Sequence, residues 1–419
     1  MVARQSARPP GADPGLDAAA TGVGLVPAFQ PIVSLPDEVT VGYEALARWP
    51  GTTDSPPDQV LAHAEVIGTS DVLDRRCVET AVAAALRSAL PKATLLCVNA
   101  EPSTAYVGRA DNEVLDLGHR ELTVVFEITE RTPLAHPHLL LDKVAALRAD
   151  GFAIALDDVG GHPQSLALLD VVQPEVIKLD LTLIQTEPTY VQARTLAAVL
   201  AHQERTGAVI LAEGIETHEH LEHALAVGAT LGQGYLFGRP GPIDREVFPT
   251  WSPVPRAESA RPATRSPFDL VAGTSPIRTA RKQTLAGFSR HIENQANRAV
   301  DAPMVFTAMQ RRDYFAGATR DRYRRLGSSC PLVAVFGRDM PADLGSDVRG
   351  VMLHPADPLC TEWTVVAIGP HYAAALIARE HDDNAELRRS DDDRRFDFVI
   401  THDRGLVAEA ARNLLERMP

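Results

Sequence analysis

The pattern of apolar and polar positions becomes regular near Leu25. Short β-branched runs then alternate with longer Ala/Leu-rich stretches. TLLCVNA (94–100), LTVVFEIT (122–129), FAIALDD (152–158), VIKLD (176–180) and AVILAEG (208–214) predict strands. Between them, Thr80–Leu90 and Leu139–Ala149 repeat apolar residues at helical spacing. Strands this apolar, separated by helices, are read as parallel strands covered on both faces. About 225 residues of such units (23–248) suit a (β/α)8 barrel. The alternative is an open doubly wound sheet, but no glycine-rich fingerprint follows the first strand.

The periodicity breaks at 249–267, PTWSPVPRAESARPATRSP, where five prolines interrupt the pattern. Proline removes backbone donors and restricts its predecessor, so this segment reads as a semi-rigid linker. Residues 1–22, rich in Pro, Gly, Ala and Asp, read as a flexible tail. Residues 268–419 form a separate α+β (or α/β) domain. Leu285–Ala299 predicts an amphipathic helix, Leu406–Arg417 a closing one. PLVAVFG, VRGVMLH, EWTVVAIG and FDFVITHD predict strands, and HDDNAELRRSDDDRR (381–395) a solvated loop.

Composition narrows the class. With 45% hydrophobic and 23% charged residues, the chain is neither fibrous nor wholly disordered. No apolar run approaches the roughly 18 residues of a membrane span. With no signal-peptide layout at the start, the expected location is cytoplasmic. Cys77, Cys97, Cys330 and Cys360 are widely spaced and read as reduced thiols. The net charge of −14 is uneven: residues 1–250 carry 17 basic against 33 acidic residues, and 251–419 carry 24 against 22. An acidic first part repels nucleic acid and bare phosphates unless cations intervene, so DNA is not an expected partner.

The chemistry gathers at strand ends. Asn99, Glu127, Asp157 with Asp158, Lys178 and Glu213 lie in or at the ends of predicted strands; Glu44 precedes them in YEALARW, Glu216 follows Glu213 in AEGIE, and Gln233 lies in GQGYLFG. In a parallel barrel those ends meet at one face, where active sites lie. Oxygen donors without His or Cys favour Mg²⁺ or Mn²⁺ over zinc. The adjacent Asp157 and Asp158 suggest two ions, one carboxylate bridging while its neighbour serves the second. Paired ions about 3.5–4 Å apart serve phosphodiester hydrolysis. THEHLEH (217–223) offers His218, His220 and His223, but reads as a solvated helix start capped by Thr217.

FQPIV (29–33), YEALAR (43–48), VNAEPS (98–103), FEITE (126–130), ALDDVG (155–160), IKLD (177–180), AEGIE (212–216) and GQGYLFGRP (232–240) occur in order along 25–245. This series resembles the EAL-domain cyclic-di-GMP phosphodiesterases. The resemblance implies a TIM-like barrel and Mg²⁺- or Mn²⁺-dependent hydrolysis of cyclic di-GMP to linear pGpG. Carried over by motif, Glu44, Asn99, Glu127 and Asp157 hold a first ion, and Asp157, Asp158 and Glu213 a second. Lys178 orients or polarises the attacking water, and Glu213 is a candidate general base as well as a metal ligand. Glu216 and Gln233 order water or support the ligands. Gln30, Leu46 and Arg48, with Glu44 and Gln233, meet substrate. Glu130 buttresses the loop after Asp158.

The motifs depart from that family once. Where it reads Phe-Gly-Thr-Gly-Tyr-Ser-Ser, this chain reads Val159, Gly160, Gly161, His162, Pro163, Gln164, Ser165. In the family this loop organises the second ion and helps form a homodimer. A barrel that binds cyclic di-GMP without cleaving it is therefore the alternative to an enzyme; a scaffold without nucleotide function is disfavoured by Gln30, Arg48 and Lys178.

The second half is similar to the DICT sensory domain through FSRHIE (288–293), DRYRRL (321–326), DPLCTEW (357–363), the 365–380 run and RRFDFVITHDRGLV (394–407). Its signal or partner is unassigned. Trp363, Tyr323, Phe306 and Phe315 read as core, and Arg320, Arg322, Arg324 and Arg325 as a solvated helix face. Across a proline-rich linker, a signal would act by docking on the barrel or by changing dimerisation, with the Gly160–Gln164 loop as receiver.

Overall fold

The structure is a computed structural model. It describes residues 14–128, 134–161, 165–249, 265–381 and 390–419. Two sheets organise the chain: a closed eight-stranded barrel and a seven-stranded mixed sheet.

The barrel part runs in the order α1 (Pro14–Ala19), β1 (Val26–Ser34), β2 (Val39–Arg48), α2 (Pro57–Ile67), α3 (Ser70–Arg87), β3 (Thr94–Ala100), α4 (Glu113–Glu121) and β4 (Leu122–Ile128). It continues through α5 (Pro137–Ala149), β5 (Ala153–Val159), α6 (Ser165–Val172), β6 (Val176–Leu179), α7 (Tyr190–Thr206), β7 (Val209–Ala212), α8 (His218–Ala226) and β8 (Leu231–Gln233). Strands β2 to β8 are parallel. Strand β1 runs antiparallel to both β2 and β8, so the barrel is TIM-like but not all-parallel. The reason is the short β1–β2 connection, which permits only a hairpin; a parallel pair needs a longer crossover.

Residues 14–22 are not a free tail. Helix α1 lies beside α2, and Ala19 and Ala20 are buried with Trp49, Val60, Ala64 and Leu73. The three alanines of Asp17–Ala20 are small enough to pack against a neighbour, a use that composition does not reveal.

The second part contains α9 (Pro267–Ala272), β9 (Arg278–Arg281), α10 (Lys282–Arg298), β10 (Met304–Arg311), α11 (Gly317–Gly327), β11 (Val333–Arg338), β12 (Val348–Met352), β13 (Glu362–Gly369), β14 (Tyr372–Glu380), β15 (Arg395–Thr401) and α12 (Arg404–Leu415). The strand order is β12-β11-β10-β13-β14-β15-β9. Strands β10–β12 pair in parallel and the others antiparallel. Of the expected linker, 250–264 lies outside the described residues. Its end belongs to α9: the Ser266 side chain caps the helix in a reciprocal pair with Asp269, and Pro267 fills the first turn. Ser266 and the Phe268 N–H also bond the fully buried Glu362 carboxylate. Most of the expected loop 381–395 is likewise outside the described residues.

Tyr323, Phe306 and Phe315 are core residues, and Trp363 packs against the cluster that holds Tyr323 and Phe315. Arg322 is not merely solvated. Its Nε donates to the buried Glu293 carboxylate at 2.6 Å, and Tyr323 Oη donates to the same group at 3.0 Å. This joins the FSRHIE and DRYRRL segments. All four cysteines are free thiols.

Candidate active site

Inward-facing residues change character along each barrel strand. Steps of two place residues on one face: Cys97 is followed by Asn99, Val125 by Glu127, Ala155 by Asp157, Val176 by Lys178, Leu211 by Glu213 and Leu231 by Gln233. The lower members fill the barrel interior with Ile32 and Leu95. The upper members form a polar floor at the C-terminal face, where barrel sites lie. Strand β1 enters from the opposite direction, and its Gln30 pairs in register with Glu44.

Adjacent residues on a strand point to opposite faces, so Asp157 and Asp158 should not serve one site. A β-bulge resolves this. Leu156 pairs with Ile177 and Val159 with Leu179, leaving two aspartates opposite Lys178 alone. Asp158 takes a left-handed φ of 52°, a strained conformation for a residue with a Cβ. One carboxylate oxygen from each of Asp157, Asp158 and Glu213 then lies within 4.8 Å of the others.

Lys178 sits at the centre of the floor, with about 1% of its side chain exposed. Its Nζ is 2.9 Å from Glu127, Asp157 and Glu213, and 3.6 Å from Glu44. Gln233 Nε2 donates to Glu44 Oε2 at 2.6 Å and to Gln30 Oε1 at 3.0 Å. Asn99 Nδ2 donates to Glu44 Oε1 at 3.4 Å. Gln30 Nε2 donates to the Gly238 carbonyl at 3.2 Å.

The charges perturb one another. Burial, followed by repulsion from Glu44, pushes the Glu127 carboxyl well above its ordinary range. Burial likewise raises Glu213 to about 8, with Asp157 and Glu44 adding to the rise and Lys178 opposing it. Burial would also raise Glu44, but the Lys178 ammonium and the Gln233 hydrogen bond hold it below its usual value. Burial disfavours the Lys178 ammonium, yet Asp157, Glu127, Glu213 and Glu44 together keep it firmly charged. Glu127 Oε2 is buried and accepts no hydrogen bond among the described residues.

The structure thus brings together Gln30, Glu44, Asn99, Glu127, Asp157, Asp158, Lys178, Glu213 and Gln233. Leu46 and Arg48 continue the Glu44 face of β2 and are half-buried, with Arg48 Nη1 donating to the Ala47 carbonyl. Glu216 does not join the cluster. It is exposed, its N–H donates to His220 Nδ1 at 3.3 Å, and its carboxylate makes no hydrogen bond or ion pair among the described residues. The chain turns outward at Gly214, so Glu216 leaves the barrel mouth. Glu130 lies outside the described residues, as do His162–Gln164. Thr217 caps α8 by accepting the His220 N–H, and no three-ligand cluster forms among the histidines there within the described residues.

The chain thus carries a TIM-like barrel with an acidic floor centred on one buried lysine. Residues 16–240 match the family described as "EAL domain", and residues 269–381 match "Sensory domain in DIguanylate Cyclases and Two-component system". The chain belongs to the EAL domain family and carries a DICT domain after the barrel.

Among curated relatives, it is 31% identical to "Cyclic di-GMP phosphodiesterase RocR" of Pseudomonas aeruginosa over 51% of this chain and 57% of that one. It is 30% identical to "Probable cyclic di-GMP phosphodiesterase PdeG" of Escherichia coli over 52% of this chain and 44% of that one. The chain therefore spans only about half the length of these relatives. Solved structures that resemble it include "Klebsiella pneumoniae BlrP1 pH 9.0 manganese/cy-diGMP complex", with 28% identity over 52% of this chain and 57% of that one and a TM-score of 0.46. No helix among the described residues is long and apolar enough to cross a membrane.

Proposed function

We propose that the barrel hydrolyses cyclic di-GMP to linear pGpG with divalent cations, and that the DICT domain regulates it. The observation that carries this reading is the grouping of Asp157, Asp158 and Glu213 donors beside Glu44 and Glu127. Five carboxylates face one ammonium there. Fully ionised, they leave four negative charges, which two divalent cations would neutralise. The all-oxygen donor set suits Mg²⁺ or Mn²⁺, and the donor-free Glu127 Oε2 fits a ligand atom awaiting a cation. The curated relatives' names point to the same substrate.

Glu44, Asn99, Glu127 and Asp157 would hold one ion, and Asp157, Asp158 and Glu213 the other. When bound, the ions would acidify water and neutralise charge on the scissile phosphate. Lys178 keeps its proton and offers it as a donor to the attacking water or a phosphoryl oxygen. Gln233 fixes the Glu44 carboxylate through its 2.6 Å hydrogen bond and orients Gln30 beside it. Gln30, Leu46 and Arg48 form the rim that meets substrate, the guanidinium suiting a phosphate or a guanine edge. Water adds at phosphorus, one P–O bond of the ring breaks, and the linear dinucleotide leaves.

A receptor that binds without turnover is the second reading, favoured by the departure of Val159–Ser165 from the family's loop. A homodimer through the barrel would need a face other than the outer side of α6, which α12 covers. The chain is expected to act in the cytoplasm.

The test is the purified chain with cyclic di-GMP and Mg²⁺ or Mn²⁺, with pGpG followed by chromatography. Hydrolysis that Glu44→Ala and EDTA each abolish supports the enzyme. Binding without pGpG supports the receptor. Undiminished hydrolysis by Glu44→Ala overturns the site assignment.

A further inference from the structure

Helix α6 is unusual for the outer ring of a barrel. An outer helix presents a polar face to water, yet Leu166, Ala167, Leu168, Leu169, Val171 and Val172 are all buried. One side covers β5. The other meets α12 and β13 of the DICT domain, so a single hydrophobic cluster runs from the barrel into the second sheet.

Polar contacts fix the same joint. The Asp170 carboxylate, on α6, receives Arg404 from α12 as well as Arg205 at 3.1 Å and His202 at 3.4 Å from α7. Arg412, also on α12, donates to the Val171 carbonyl at 2.8 Å and the Asp170 carbonyl at 3.1 Å. These are last-turn carbonyls that have no partner within the helix. The DICT domain thus supplies α6 with an apolar cover, a countercharge and a C-terminal cap at once.

An eight-residue helix has little stability of its own. It begins seven residues after Asp158, whose φ of 52° persists only where its surroundings enforce it. Helix α6 is the next described element after Gly161, and the second domain covers it.

We propose that the α6–α12 joint is the regulatory coupling of this chain: docking of the DICT domain holds α6 helical, α6 holds Asp158 in the cation site, and release of the dock weakens cation binding. This rests on reading the barrel as a divalent-cation phosphodiesterase. Arg404 and Arg412 are positioning residues, remote from the site they support.

The test uses the full chain as wild type, Arg404→Ala/Arg412→Ala, and Arg404→Lys. Hydrogen exchange reports α6, and calorimetric titration with Mn²⁺ alone reports the site. The double variant should exchange faster across 165–172 and lose about tenfold in Mn²⁺ affinity, within the usual range of coupling between sites. Arg404→Lys keeps the countercharge and should stay within about twofold of wild type on the same scale. Should the double variant fail to melt cooperatively, Arg404→Ala alone carries the comparison. Faster α6 exchange with unchanged Mn²⁺ affinity overturns the coupling, and so does unchanged exchange. Neither readout needs turnover. A wild type that binds Mn²⁺ but yields no pGpG counts against the phosphodiesterase alone; a wild type that binds no Mn²⁺ overturns both.

Discussion

Replacing Lys178 by Met tests the charge balance on which the site rests. Met keeps most of the side-chain volume and removes the ammonium, which lies 2.9 Å from three carboxylates and 3.6 Å from a fourth. In the cation-free chain those carboxylates lose the countercharge that offsets their burial. Removing one partner from a buried ion pair costs about 3–5 kcal/mol. At about 2–4 °C per kcal/mol for a domain of this size, the barrel transition should fall by about 10 °C at pH 8.

Two conditions should shrink that loss. Without Lys178, burial raises the Glu44 carboxyl that the ammonium had held low, so lowering the pH to 5.5 lets it take up a proton and removes part of the uncompensated charge. Saturating Mn²⁺ supplies positive charge at the same donors. The assay is thermal melting of wild type and Lys178→Met at pH 5.5 and 8, each with and without MnCl₂. A fall below about 2 °C at pH 8, less than 1 kcal/mol on this scale, would refute the reasoning. An equal fall under all four conditions would do the same, because it would show that lost packing rather than charge sets the effect.

Other expectations follow from single contacts. Gln233→Ala removes the 2.6 Å donor to Glu44 and the link to Gln30; hydrolysis should drop by about 10–100-fold, as for groups that orient metal ligands, with melting nearly unchanged. Mn²⁺ affinity should rise with pH and level off above about 8, because a cation must displace the proton from Glu213, whose raised value means the metal-free chain is protonated below that pH. Titration between pH 6.5 and 8.5 checks this, and a flat profile contradicts it. At Gly160, φ is 98° and a Cβ would stand 2.4 Å from Leu183 Cδ1; Gly160→Ala should cost about 1–3 kcal/mol by melting and weaken Mn²⁺ binding through the neighbouring Asp158.

Much of the barrel was legible because its signals are local. Apolar runs marked β3 to β7 to within a residue or two, and the carboxylate, amide or lysine closing each run marked the site face. Ordered motifs named the family. Local signals were available but unread at two places: Ser266-Pro267 with Asp269 is a helix start, and the SLALLDVV of α6 has no polar stripe for water. The remainder was set by contacts distant in sequence. The bulge that turns both Asp157 and Asp158 to one site exists only because β5 pairs with β6 out of step. The antiparallel course of β1 closes the barrel against β8, some 200 residues away. Glu216, in the same motif as Glu213, falls outside the cluster because the chain turns at Gly214. The α6–α12 joint pairs Asp170 with Arg404, 234 residues apart. Periodicity tells a residue which face it occupies. It does not say what lies against that face, which is decided by how strands register and domains dock.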